Sequence, residues 1–160
     1  MSEIRPARPD QLVLLPALEA VSDTLFSTLG LGPFPHPGSA AELAASLVVL
    51  VVGDPPVGFA RLEEVAGGAH LEQLSVHPKY VRRGHGRALV RAACDWARQA
   101  GYAEMTLVTY ADVPWNGPFY ASEGFAALGE PDDWYAARGL PPEMTVMASF
   151  GTRVVMVKAL

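Results

Sequence analysis

The stretch 74–89, Leu74-Ser-Val-His-Pro-Lys-Tyr-Val-Arg-Arg-Gly-His-Gly-Arg-Ala-Leu89, changes its hydrophobic period from that of a strand to that of a helix. Upstream, residues 69–76 alternate, and the alternation puts four side chains on one predicted face: His70, Glu72, Leu74 and Val76. Downstream, apolar residues return every three to four positions as far as Gln99. A further strand is predicted at Glu104–Tyr110, and this strand–helix–strand order indicates a parallel crossover.

The turn inside this stretch, Val81-Arg-Arg-Gly84-His-Gly86, has features of an anion site. Glycines let the backbone approach a ligand closely, and the following helix start presents free N–H groups at a positive dipole end. Guanidinium groups bind phosphate through paired hydrogen bonds. The turn therefore predicts a phosphate or pyrophosphate site. The alternative is an ordinary turn beside a solvated arginine face, to which Arg91 and Arg98 are assigned. The glycine spacing matches neither a dinucleotide fingerprint nor a P-loop.

Outward from this centre, the chain predicts an α+β fold with one mixed sheet and helices on both faces. A helix is predicted from a cap at Asp10 to Leu29, kinked or restarted at Pro16, and a second helix at the Ser39 capping box. The remaining predictions are strands at 3–6, 47–52, 57–64, 125–128 and 153–159, a short helix at 119–123, and one or two helical turns at 132–138 and 143–150.

Length and composition limit the classes of protein. The 160 residues fit a single domain, residues 1–160, and the net charge of −5 argues against a nucleic-acid partner. One cysteine excludes an intrachain disulfide, the N-terminus lacks a signal-peptide pattern, and no apolar run approaches about 18 residues. We therefore expect a cytoplasmic protein without a membrane partner. The charge is uneven, because the segment from Lys79 to Arg98 carries +5 and the remainder −10.

The glycine turn and its flanks resemble the GCN5-related N-acetyltransferases (GNAT). Gly84 and Gly86 match the last two positions of that family's Gln/Arg-x-x-Gly-x-Gly/Ala motif, whereas Val81 departs from the first. Leu74-Ser-Val-His-Pro78 resembles the family's fourth strand running into the loop. Asn116-Gly-Pro-Phe-Tyr120-Ala-Ser-Glu-Gly-Phe125 resembles its later Asn…Phe-Tyr-x-x-x-Gly-Phe signature. The resemblance runs from about residue 57 to residue 128.

The resemblance implies a sheet that is splayed between its fourth and fifth strands and binds acetyl-coenzyme A there. The pyrophosphate would lie on N–H groups of the glycine turn, and the pantetheine arm on backbone groups of the fourth strand. The implied cofactor-binding residues are Leu74, Ser75, Val76, Arg82, Arg83, Gly84, His85, Gly86, Arg87, Ala88, Asn116 and Phe119. No metal is expected, because the histidines lack metal-ligand spacing and no cysteine cluster is present.

The resemblance also implies acetyl transfer to a primary amine, which must be neutral to attack a thioester. Glu72, then His70, is the predicted base, since both occupy positions of two histidines in the similar strand of arylalkylamine N-acetyltransferases; a water chain is the alternative. Tyr120 lies where the family keeps its general acid. Cys94 is interpreted as a core thiol, which favours direct attack in a ternary complex over a covalent acyl-enzyme.

The acceptor is predicted to be a small molecule whose amine is attracted by an acidic and aromatic set of loop residues: Asp112, Glu130, Asp132, Asp133, Trp115, Trp134 and Tyr135. The alternative is that these residues merely solvate the rim. Two other functions stay open, a non-catalytic acyl-coenzyme A-binding or sensor module and a generic anion-binding regulatory domain. A homodimer formed through the closing strand Arg153–Ala159 is a further possibility.

Overall fold

The computed structural model describes residues 3–32, 34, 37–142 and 151–160. Within these residues, seven strands form one sheet in the order β1-β2-β3-β4-β5-β7-β6. The strands are β1 (Ile4–Pro6), β2 (Val48–Val52), β3 (Gly58–Val65), β4 (Gly68–Val76), β5 (Glu104–Tyr110), β6 (Ala126–Gly129) and β7 (Arg153–Ala159). The helices are α1 (Pro9–Leu12), α2 (Leu15–Asp23), α3 (Ala40–Ala44), α4 (His85–Gln99), α5 (Gly117–Ser122) and α6 (Pro131–Ala136). The mixed sheet with helices confirms the predicted fold class.

The sheet has a hydrophobic cluster on each face. On one face, α4 buries a stripe that includes Leu89, Ala93 and Ala97 against the strands, because apolar residues recur at helical spacing along it. On the other face, Leu15 of α2 and Leu43 of α3 pack with the fully buried Phe59 of β3. The α3 helix begins as predicted, with the Ser39 hydroxyl accepting a hydrogen bond from the Glu42 N–H at 3.1 Å.

The predicted long first helix is divided into three pieces: α1, α2 and a 3₁₀ helix at Thr24–Leu29. Pro16 is the second residue of α2, and its missing N–H explains why the helix restarts there. The predicted cap at Asp10 is wrong. Arg8 occupies the cap position, its N–H donating to the Gln11 side chain at 2.9 Å, and Asp10 lies in the first turn.

The segment Pro9–Leu29 is apolar enough over much of its length to be compared with a membrane span. Its most apolar window of 18 residues has a mean hydropathy of 1.4, so by length and composition alone the segment passes as a candidate membrane span. Acidic residues interrupt the segment, so the prediction that no unbroken apolar run approaches about 18 residues holds. The same test is passed by core helices of soluble proteins and by signal sequences. Here Leu15 and Leu18 are buried in the fold, whereas Val13 and Leu14 are exposed.

A β-bulge interrupts the predicted alternation of β4. Leu62 of β3 pairs with Leu71, but Arg61 pairs with Gln73, so Glu72 is an extra residue inserted into β4. Beyond the bulge, the even-numbered residues of β4 lie on the face that the odd-numbered residues occupy before it. Leu74 and Val76 therefore pack on the α4 face with Leu71, and the prediction that they share a face with His70 is wrong.

The closing strand β7 lies inside the sheet. It pairs with β5 along its whole length and with β6 on its other side. On that side β6 pairs with residues 155–157, so β7 is an interior strand of this sheet, which disfavours the predicted homodimer through β7. The segment 143–150, where a helical turn was predicted, lies outside the described residues.

Helix α5 starts at a glycine that touches backbone. A Cβ built on Gly117 would lie 2.5 Å from the carbonyl oxygen of Ala111, and no side chain can move to relieve that contact. We therefore expect Gly117→Ala to lower the free energy of unfolding by about 1–3 kcal/mol in urea titrations.

The matched control is Gly68→Ala, where the added Cβ would meet only the Val65 carbonyl oxygen at an ordinary 3.6 Å. Its expected effect is within about 0.5 kcal/mol. Equal effects of the two substitutions would show that the close approach is not what requires glycine at position 117.

Candidate functional site

A cleft of about 1520 Å³ opens where β4 and β5 separate. Within the part of the chain that the structure describes, these parallel strands pair only at Ala69–Met105 and His70–Thr106. The predicted site residues that line the cleft are His70, Glu72, Leu74, Val76, Arg82, Gly84, His85, Gly86, Arg87, Asn116, Phe119 and Tyr120. The parallel crossover thus brings residues from β4, α4 and α5 to one cavity.

Backbone groups of β4 face the cleft. In an antiparallel pair, alternate residues exchange hydrogen bonds with the neighbouring strand. The His77 N–H donates to the Val57 carbonyl at 2.8 Å, so the backbone groups two residues earlier, at Ser75, also face β3. Those of Leu74 and Val76 consequently point away from β3 into the gap, where β5 does not pair with them. They are available to hydrogen-bond an extended ligand.

The first turn of α4 forms one end of the cleft. Gly84 has φ +83°, a left-handed conformation that favours glycine, and the helix begins at His85. The Ala88 N–H donates to the Gly84 carbonyl at 3.0 Å, so the N–H groups of His85, Gly86 and Arg87 precede the first helical hydrogen bond. Three N–H groups at a positive helix end suit a phosphate.

Three predicted cofactor contacts lie elsewhere. The Ser75 side chain is buried and accepts a hydrogen bond from Gln73 at 2.9 Å. The Arg83 guanidinium stacks over the Tyr80 ring at 5.1 Å, and the Ala88 N–H is already bonded within the helix. None of the three residues lines the cleft. Arg82 does, with φ +61°, an unusual conformation for a residue with a side chain.

His70 and Glu72 lie together despite the bulge. The His70 Nε2 and a Glu72 carboxylate oxygen are 3.7 Å apart, with 4% of the His70 side chain and 43% of the Glu72 side chain exposed. The His70 Nδ1 lies 2.9 Å from the Thr106 hydroxyl, which is 3.4 Å from the Ala69 carbonyl. If that hydroxyl donates to Ala69, Nδ1 carries the imidazole hydrogen and Nε2 is an acceptor; if it donates to Nδ1, Nε2 carries the hydrogen and can donate toward Glu72.

Burial lowers the pKa of His70 to about 4, because the charged imidazolium loses its hydration. The ring is therefore neutral at pH 7. It also stacks on the Trp134 indole, with ring centroids 6.1 Å apart. Trp134, predicted to contact the acceptor, is instead buried behind the histidine.

Tyr120 and Asn116 come from the segment around α5. Tyr120 is 8% exposed, and burial raises the pKa of its phenol. Its ring packs against Phe119 and Phe125 at centroid distances of 5.2 and 5.8 Å. The Asn116 side-chain oxygen accepts from the Thr109 hydroxyl at the end of β5. This bond leaves the Asn116 amide nitrogen as the group that can donate to a ligand.

The acidic residues of the cleft differ from those predicted. Trp115 and Tyr135 line it, but Asp112, Glu130, Asp132 and Asp133 do not. Sequence reasoning missed Glu19 and Asp23 of α2, which do line it. The sequence does contain a signal for them, because these two carboxylates lie one helical turn apart in a helix whose other residues, apart from Ser22, are apolar.

The Glu19 and Asp23 carboxyls are half-buried. Burial raises the pKa of Glu19 to about 7, with a smaller contribution from the neighbouring charge of Asp23. Burial likewise raises the pKa of Asp23 to about 6. A cation bound between them would favour the ionised forms.

An aromatic cluster continues the wall beyond these carboxyls. Phe26 contacts Phe34, Tyr110 and Trp115, with ring centroids 4.9 to 5.9 Å apart, and all four rings line the cleft. This arrangement suits an apolar or aromatic body.

The remaining predictions concern Cys94 and the absence of a metal site. Cys94 is buried in the α4 core, and burial raises the pKa of its thiol. Within residues 3–32, 34, 37–142 and 151–160, no group of three or more His, Cys, Asp or Glu side chains is arranged to hold a metal.

Solved structures share this fold. The chain is similar to the PaiA N-acetyltransferase of Thermoplasma acidophilum, solved in complex with coenzyme A, with a TM-score of 0.73, 19% identity, and coverage of 100% of this chain and 99% of that chain. It is also similar to the ribosomal-protein-S18-alanine N-acetyltransferase of Escherichia coli, with a TM-score of 0.70, 21% identity, and coverage of 99% and 94%. At these identities the likeness shows the fold.

Sequence relatives match part of the chain. N-acetyltransferase 8 of Rattus norvegicus is 33% identical over 92 residues, which are 58% of this chain and 38% of that protein. The mycothiol acetyltransferase of Stackebrandtia nassauensis is 33% identical over 79 residues, 49% of this chain and 26% of that protein. The chain thus aligns with well under half the length of these relatives.

The family model described as "Acetyltransferase (GNAT) family" matches residues 19–125, the region that holds the second half of α2, the bulged β4, the glycine turn and α5. The match covers more than half of the chain, and the protein therefore belongs to the GNAT acetyltransferase family.

Proposed function

We propose that the protein transfers the acetyl group of acetyl-coenzyme A to a primary amine of a small molecule, by direct attack in a ternary complex. The observation that carries this proposal is the parting of β4 and β5. Backbone groups without a strand partner, a helix N-terminus and the side chains of His70, Glu72 and Tyr120 share one cleft there, and these are the groups that the proposed transfer would need. Acetyl-coenzyme A would supply a thioester carbon that an uncharged amine can attack.

The residues present fit this donor. The N–H groups of His85, Gly86 and Arg87 would hold the pyrophosphate, and Arg82 would add a cation beside it. Backbone groups of Leu74 and Val76 would bind the pantetheine arm as an added strand, with the Asn116 amide as a further donor. The Leu74 N–H would also stabilise the negative charge that develops on the thioester oxygen.

The proton of the incoming ammonium needs an acceptor, since its pKa of about 10.4 keeps it charged at pH 7. Glu72 remains the first candidate. Its carboxylate is open to the cleft and to solvent, so it can take the proton and release it to bulk water. His70, held neutral by burial, would orient the amine through Nε2 or relay the proton to Glu72.

Tyr120 would protonate the departing sulfur. Burial keeps its phenol protonated across the working pH range, so the proton to be donated is always present. Desolvation would also raise the pKa of the thiol that forms beside it, which offsets part of the weaker acidity of the buried phenol. The amine nitrogen forms the bond to the acyl carbon and loses its second proton, which passes to solvent through Glu72. The carbon–sulfur bond breaks, the sulfur receives the Tyr120 proton, and solvent reprotonates Tyr120.

The acceptor would be a cationic amine with an apolar or aromatic body. Glu19 and Asp23 would attract its charge, and the cluster around Phe26 would contact its body. Burial of Cys94 supports direct transfer, because this thiol is inaccessible as an acyl carrier.

A panel of amines, amino acids and peptides incubated with acetyl-coenzyme A, with release of free thiol as the readout, tests the activity. We expect turnover on small aryl- or alkylamines. Turnover restricted to protein N-termini would overturn the small-molecule assignment. Coenzyme A binding without turnover on any amine would instead support a non-catalytic acyl-coenzyme A module.

Tyr120→Phe removes the proposed acid and keeps the aromatic packing. We expect kcat to fall by about 10²–10³-fold, while the Kd for coenzyme A measured by calorimetry changes less than about threefold. Tyr102→Phe is the control, because the Tyr102 hydroxyl bonds Glu64 away from the cleft. Unchanged turnover in Tyr120→Phe would eliminate the acid role.

Glu72→Gln and His70→Gln test the base. We expect kcat/KM at pH 7 to fall by about 10²-fold in Glu72→Gln and by a smaller factor in His70→Gln. The loss should shrink as pH rises toward the amine pKa, because a free amine no longer needs the base. Glu64→Gln, a β3 carboxylate outside the cleft, should leave the profile unchanged. A pH-independent loss in Glu72→Gln would argue against proton transfer.

Glu19→Gln tests the acceptor end. We expect the KM for the amine to rise about tenfold with the KM for acetyl-coenzyme A unchanged, whereas Glu130→Gln, outside the cleft, changes neither. Since the folded pKa of Glu19 is about 7 and its unfolded value lies near 4.3, ionisation opposes folding as pH rises through that interval. Glu19→Gln should therefore raise Tm at pH 8 but not at pH 4. An unchanged amine KM would exclude Glu19 from the acceptor site.

A further inference from the structure

Glu123, which follows α5, carries a buried carboxylate that the proposed reaction does not use. Its side chain is 4% exposed, and an unpaired charge at that depth would cost several kcal/mol. Two arginines of α4 compensate it. The Arg87 Nε lies 3.0 Å from one carboxylate oxygen and the Arg91 Nε lies 2.8 Å from the other. The two arginines are one helical turn apart, so both reach the same carboxylate.

The backbone of Glu123 binds a third element. Its carbonyl accepts from the Lys158 ammonium of β7 at 2.8 Å, and its N–H donates to the Tyr120 carbonyl at 3.0 Å. A single residue therefore connects α5 to α4 through its side chain and to β7 through its main chain.

This link joins the two elements that form the ends of the proposed donor site, α4 and α5. Arg87 is in the first turn of α4, where N–H groups face the cleft, and Tyr120 is three residues before Glu123. With six residues, α5 is too short to be stable by itself. Its orientation must come from tertiary contacts, and the Glu123 ion pairs are among the polar contacts, together with the Lys158 hydrogen bond.

We propose that Glu123 is a positioning residue that holds the Tyr120 hydroxyl at a fixed separation from the first turn of α4. This inference rests on the proposed function. One donor molecule would have to contact the helix start with its pyrophosphate and Tyr120 with its sulfur. A displacement of about 1 Å between the two lowers the rate by up to about 10²-fold.

Glu123→Gln keeps the shape of the side chain and removes its charge. We expect kcat to fall about 10- to 100-fold, with the Kd for coenzyme A within about threefold, because the N–H groups of α4 remain in place. Arg91→Gln should cost no more than about threefold in kcat, since Arg87 still pairs with the carboxylate. The double variant should be no slower than Glu123→Gln, because Arg91 acts only through Glu123.

Asp95→Asn is the matched control. It breaks an exposed pair on the same helix, with the Arg98 guanidinium 2.6 Å from the Asp95 carboxylate, and should leave kcat and coenzyme A binding unchanged. If Glu123→Gln keeps kcat within twofold of the unsubstituted protein, the positioning role is wrong.

Amide hydrogen exchange with coenzyme A bound tests the same role without any acceptor. In Glu123→Gln the amides of Tyr120 and Phe125 should exchange at least tenfold faster, with the Val108 amide of β5 unchanged. Equal acceleration at Val108 would indicate general destabilisation and overturn the proposal. A protein that acetylates no amine, yet shows the local acceleration, would contradict the proposed function and retain the link between Glu123 and α5.

Discussion

β4 and β5 pair as parallel neighbours at only two positions, and the features of the cleft follow from where that pairing stops. Backbone N–H and C=O groups need hydrogen-bond partners when they are removed from water. Those of Leu74 and Val76 have none in β3 or β5 and instead face a cavity. A strand left half-paired inside a sheet is suited to an extended polar ligand. The bulge at Glu72 lies beside the point of separation and turns its carboxylate toward the same cavity.

The two ends of the cleft differ in charge. On sequence grounds, Arg87 is assigned to the cofactor, and Arg91 and Arg98 to a solvated face of α4. In the folded protein, Arg87 and Arg91 neutralise Glu123, and Arg98 pairs with Asp95. Backbone N–H groups of α4 therefore carry more of the proposed phosphate binding than the arginine count suggested. At the other end, half-buried carboxyls with raised pKa values are poised to ionise against a cation.

The parts of the fold that sequence reasoning predicted well are those with a local signal. The bounds of β5 and β7 were predicted to the residue, and the restart at Pro16 and the Ser39 cap follow from the chemistry of single residues. The bulge was not predictable from alternation, because an inserted residue shifts the register without changing the apolar composition. Twelve predicted site residues line the cleft, whereas Ser75, Arg83 and Ala88 do not, since a linear motif does not show which way each group points.

The sequence alone was sufficient for the order of elements, the glycine turn before α4 and the family resemblance, because these depend on residues close together in the chain. The acidic wall required the tertiary structure. Glu19 and Glu72 are distant in sequence and share a cleft because α2 packs over β4. The same holds for Glu123, whose carboxylate is neutralised by two arginines of another helix. Long-range packing decides which charges meet, and that information is absent from any single segment.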